Sequence, residues 1–98
     1  MALSELARGM LEKYIDVVIS AIPEMMSMLR EGSVKHRFLF KSEEDFLYGM
    51  AYGRIVYSYA NLFFLAFRRD LTHDEMFEMQ PIIEKRMREV RDAIMNTG

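Results

Sequence analysis

The residues best suited to metal or acid-base chemistry in this chain of 98 residues stand together at His73, Asp74, Glu75 and Glu78. Asp74 and Glu78 are spaced i and i+4, so a helix puts both carboxylates on one face, where they and an imidazole could share a divalent cation. The same acids follow Thr72 directly, and carboxylates in a first helical turn serve the cap and the helix dipole. With two histidines in all and no HExxH or Glu-x-x-His pattern, capping is the expected role, and neither a metal nor a cofactor is expected.

A second constellation is aromatic. Tyr48, Tyr52, Tyr59 and Phe63 fall on roughly one helical face, with Arg54 nearby, and such a row can stack on bases or line a small-molecule pocket. Core or dimer interface is the commoner use of these residue types, and it is the reading adopted here.

A third is cationic. Lys35, His36, Arg37 and Lys41 form one cluster and Arg68 and Arg69 another, with a helix of roughly 40 Å between them. They cannot make one patch within a monomer. An antiparallel dimer would bring the first cluster of one copy near the second of the other, so Lys35, Arg37, Lys41, Arg68 and Arg69 are the candidate phosphate-binding residues. The chain has no cysteine, no Gly-rich phosphate loop and no serine in a nucleophile elbow, and it is read as a non-enzyme.

The elements that would position these groups are helical. Leu3, Leu6, Met10, Tyr14, Val17, Val18, Ala21, Met25, Met28 and Leu29 recur at three- and four-residue spacing, which predicts one long amphipathic helix with a stop at Gly32. Pro23 predicts a kink or break near residues 20–22, because it removes a backbone donor and crowds the preceding turn. Residues 33–41 carry no helical period and read as a connector, with Phe38 and Phe40 docking on the core.

Ser42 followed by Glu43, Glu44 and Asp45 predicts the N-cap of a second helix, running to about Arg69. Its polar residues are few, chiefly Arg54, Ser58, Asn61 and Arg68 in one narrow stripe. Thr72 and Glu75 match the capping box and predict a third helix, with an apolar face through Met76, Met79, Ile83, Met87, Val90 and Ile94. Pro81 predicts a kink or split in it.

Length and composition set the frame. At 98 residues with 51% apolar content, the chain is one domain, residues 1–98, with a single core. A net charge of −2 gives no global attraction to nucleic acid or anionic lipid. The N-terminal residues lack the basic and apolar regions of a secretory signal, and with no cysteine the default location is the cytoplasm.

The stretch from Phe46 to Phe67 is long enough to cross a bilayer. Arg54 near its middle costs roughly 2.5 to 3.5 kcal/mol, against about 0.3 to 0.6 kcal/mol returned by each Leu, Ile, Phe or Val. A membrane span is therefore the disfavoured reading.

The fold expected is all-α, with three principal helices packed around an apolar central one. Two single apolar stripes cannot easily cover a helix apolar on most of its girth, so a homodimer is expected with the second helix at or near the two-fold axis. Gly49, Tyr52, Gly53, Val56, Tyr59 and Phe63 are its candidate interface. The ten methionines, clustered at Met25, Met26 and Met28, suit surfaces that repack against varied partners. The function expected is a non-catalytic interaction or assembly module. The alternative is a small nucleic-acid-associated protein using the basic clusters.

Overall fold

The computed structural model describes residues 2–31, 38 and 40–97. Three α-helices follow one another: α1 (Glu5–Glu31), α2 (Glu43–Phe67) and α3 (His73–Thr97), and among the described residues there is no strand. Gly32, Lys35, His36 and Arg37 lie outside the described residues. Cross-links between helices set the directions. Ala7 meets Tyr59 and Arg30 meets Glu43, so α1 and α2 run antiparallel. Tyr52 meets Gln80 and Asp45 meets Arg91, so α2 and α3 are antiparallel too, and α1 lies parallel to α3.

Both predicted caps form. The Asp45 amide donates to Ser42 Oγ at 3.1 Å. At Thr72 the box closes in both directions, the Glu75 amide donating to Thr72 Oγ1 at 3.1 Å and the Thr72 amide to Glu75 Oε1 at 2.8 Å. The second helix ends at Phe67 rather than Arg69, because Arg68 takes the left-handed conformation with φ 58°. That conformation costs a non-glycine residue about 1 kcal/mol, and the turn it opens delivers Arg69 to Glu75.

Helices α1 and α3 run without a break through Pro23 and Pro81. Both prolines are exposed, so water can reach the backbone groups they leave unpaired. Buried Ile22 and Met26 on one side, and Met79 and Ile83 on the other, hold each helix to the core across the missing bond.

The core is a single cluster to which all three helices contribute. On α3 it takes Met79, Ile83, Met87, Val90 and Ile94 as expected, whereas Met76 faces outward. On α1 the inward stripe is Ala7, Leu11, Ile15, Val18, Ile22, Met26 and Leu29, with Leu3 buried just before the helix, one residue out of step with much of the expected one. Leu6, Val17 and Met28 are exposed. Helix α1 therefore carries two apolar stripes side by side, not one. Of the connector aromatics, Phe40 stacks on Phe46 with ring centroids 4.0 Å apart, whereas Phe38 is 63% exposed and not part of the buried core.

Polar contacts clamp the bundle at its edges. Glu78 Oε2 accepts from the Ala2 and Leu3 amides at 2.5 and 3.1 Å, holding the N-terminal segment against α3. Arg86 donates to Glu12 Oε1 at 2.8 Å and Asp16 Oδ1 at 2.5 Å across to α1, and also to Glu89 on its own helix. Its hydrogen bonds to these carboxylates, that to Glu89 foremost, hold its guanidinium above its ordinary pKa.

Replacing Arg86 with alanine is expected to cost about 1 kcal/mol at neutral pH, since its carboxylate partners are half exposed and screened by water. The deficit should shrink at high salt, which screens half-exposed charges. Thermal melts of both proteins at low and high salt check this.

No helix among the described residues is long and apolar enough to cross a membrane.

Candidate interaction surface

Helix α2 buries only Leu47, Ala51, Ile55, Tyr59 and Phe63. Phe46, Tyr48, Tyr52, Val56 and Phe67 pack partly against the core, and several apolar residues of the remaining side turn outward. Met50, Tyr57, Phe64 and Leu65 are all exposed, Tyr57 at 77%. Positions 50, 57 and 64 repeat every seven residues, so they stand above one another on one side of the helix, with Gly53 between them. Arg54, Asn61 and Arg68 are exposed along the same side.

This outward face continues onto α1. Met10, Lys13, Tyr14 and Val17 of α1 form a shallow groove with Leu62 of α2, of about 340 Å³. Leu6 extends the stripe towards the start of α1 and is 66% exposed. The second apolar stripe of α1 and the outward side of α2 together make one extended apolar face on a molecule 42 Å long.

Arg54 sits within this face. Its Nε donates to Tyr14 Oη at 3.3 Å and its Nη1 to Met25 Sδ at 3.6 Å, both on α1. Among the described residues no carboxylate pairs with it. At the far end of the face, Met25, Met28 and Leu29 of α1, Phe38, and Phe46 and Met50 of α2 line an apolar cavity of about 370 Å³.

The aromatic row lies on the opposite side of α2 from Arg54. Tyr48 lies under the Arg91 guanidinium, 4.1 Å from its ring centroid, and the Tyr52 hydroxyl donates to Gln80 Oε1 at 3.0 Å. The Tyr59 hydroxyl, fully buried, donates to the Ala7 carbonyl at 2.7 Å. Burial, with the nearby Glu75 charge, pushes its pKa up to about 12.

Of the six candidate interface residues, Tyr59 and Phe63 thus belong to the chain's own core and cannot meet a partner. Their apolar character is spent within the monomer. Gly49, Tyr52, Gly53 and Val56 are at least partly exposed. Nothing lies within 4 Å of where a Cβ would stand at Gly49 or Gly53, so packing within the chain requires neither glycine.

Lys35 and Arg37 lie outside the described residues. Lys41 and Arg68 are exposed at opposite ends of α2. Arg69 is already committed: its two terminal nitrogens donate to the two Glu75 oxygens at 2.7 and 2.8 Å, and its guanidinium lies over the Phe63 ring, 5.0 Å from the centroid. It is a latch for the α2–α3 turn.

The His73 to Glu78 cluster is likewise divided. Glu75 turns inward to Arg69 and Thr72, while Glu78 turns to the N-terminal segment. The Arg69 pair and the Thr72 cap, working against burial, lower the Glu75 pKa from 4.5 to about 2.

In the sequence Arg54 reads as one member of a polar stripe and as a neighbour of the aromatic row. Its placement among apolar residues of α1, and the cavity beside it, depend on residues some 30 to 40 positions away.

Compared with protein-family models, curated proteins and solved structures, the chain matches none.

Proposed function

We propose that this chain is a non-catalytic interaction module that self-associates as a two-fold homodimer, with α2 at or beside the axis. The observation that carries the reading is the outward apolar face of α2, Met50, Tyr57, Phe64 and Leu65, continued on α1 by Leu6 and Val17. Monomers seldom leave contiguous apolar area beyond a few hundred Å² in water, and an isologous contact with a second copy is the commonest way to cover it.

Gly49 and Gly53 support the same reading. Each costs a mid-helix position roughly 0.5 to 1 kcal/mol relative to alanine, and the monomer draws nothing from either. Close approach of a second helix gives them a use. Replacing Gly53 with alanine is then expected to act with opposite signs, raising the stability of the isolated chain by about 0.5 kcal/mol and weakening self-association. Melting the variant and measuring its mass across a dilution series separates the two effects.

The test of the function itself is sedimentation equilibrium at micromolar concentration. The expected species has twice the chain mass of 11.6 kDa and does not change between low and high salt, because apolar contacts are not screened. A salt-independent species of 11.6 kDa overturns the reading.

A further inference from the structure

We infer that the cavity between the end of α1 and the start of α2 binds a single-chain amphiphile with an anionic head, such as a fatty carboxylate. The hydrocarbon chain would lie among Met25, Met28, Leu29, Phe38, Phe46 and Met50, and Arg54 would hold the head group. The inference does not rest on self-association.

Size and lining come first. The cavity holds about 370 Å³, and among the described residues no titratable side chain lines it. That is within the range of small-molecule sites, which are mostly apolar with a few polar groups that fix orientation. Three of the six lining residues are methionines, whose unbranched thioethers adapt to a flexible chain without one fixed shape. A rigid planar ligand would instead want a preformed slot.

Charge supplies the second part. Met25 lines the cavity, and its sulfur is 3.6 Å from Arg54 Nη1. Arg54 also follows Met50 by four residues, one turn along the same helix. The guanidinium therefore sits at one end of the apolar space. Its five donors are met by a thioether and a phenol oxygen at 3.3 Å, both poor substitutes for a carboxylate. An apolar groove ending at a cation that has no anionic partner among the described residues fits a hydrocarbon chain ending in an anion.

The test uses the full chain with ¹³C-labelled methionine methyls, titrated with dodecanoate and, separately, with dodecanol, both below their aggregation limits. Dodecanoate is expected to shift the Met25, Met28 and Met50 methyl signals saturably, and to bind about ten-fold more tightly than dodecanol. Arg54→Gln, at an exposed position, is expected to abolish that preference while dodecanol still binds. Met28→Glu, also at an exposed position, is expected to weaken both probes.

No saturable shift with dodecanoate overturns the inference, and so does an undiminished preference in Arg54→Gln. Solution mass measured on the same samples keeps the outcomes apart, because binding to an 11.6 kDa species would retain the site and remove only the homodimer.

Discussion

Replacing Tyr57 with lysine is expected to weaken self-association at least about 100-fold, or roughly 2.7 kcal/mol, while leaving the helical fold intact. Tyr57 stands at the middle of the outward face of α2 and is 77% exposed, so the monomer loses almost no packing, and surface changes of this kind stay within about 0.5 kcal/mol. In a homodimer with α2 at the axis, the same residue is buried from both copies. An ammonium there must be desolvated twice, one turn from Arg54 of the same charge, and an uncompensated buried charge costs several kcal/mol. Circular dichroism should match the parent protein while the mass falls to that of one chain. A variant that keeps the parent dimer places the contact elsewhere on the molecule.

Acid is expected to loosen the fold through one carboxylate. Glu75 is almost fully buried, and its pKa is lowered from 4.5 to about 2 by the Arg69 pair and the Thr72 cap. A carboxyl whose folded pKa is depressed stabilises the protein above its unfolded pKa, and the contribution is lost as pH falls through the folded value. The window therefore runs from about 4.5 down to about 2. The full shift would correspond to roughly 3 kcal/mol. Arg69 is half exposed and water screens the pair, so a loss of about 2 kcal/mol is expected.

Glu75→Gln should lack this contribution at pH 7 and converge with the parent protein near pH 2. Denaturant unfolding at a series of pH values reads both curves. Parallel curves across the window would assign acid sensitivity to other carboxyls.

What could be read from residue order alone follows the reach of the interactions involved. The Ser42 and Thr72 caps depend on partners three residues away, and both form as expected. The inward face of α3 is legible because only one apolar stripe runs along it. Helix α1 was harder. Ala7, Leu11, Ile15 and Val18 have helical spacing, and so do Leu6, Met10, Tyr14 and Val17 one position earlier. Spacing cannot say which set turns inward when the choice is made by where α2 and α3 lie.

The same limit applies to the surface. Tyr59 and Phe63 look like interface residues until α1 and α3 enclose them, and Arg69 looks like a free cation until the left-handed turn at Arg68 presents it to Glu75. Arg86 gathers Glu12 and Asp16 from 74 and 70 positions away, beyond any local pattern. The surplus of apolar residues on α2 was legible, and it is the feature on which the functional proposal stands.

The measurement that bears most directly on that proposal is an isotope-filtered NOE experiment on a mixture of ¹³C-labelled and unlabelled chains, which reports only contacts between copies. The homodimer described above predicts intermolecular contacts from the methyls of Met50 and Leu65 and the ring of Tyr57, with Val17 and Leu6 at the margin. Intermolecular contacts arising instead from Met76 and Met95 on α3, or none at all at concentrations where the mass is doubled, would contradict it.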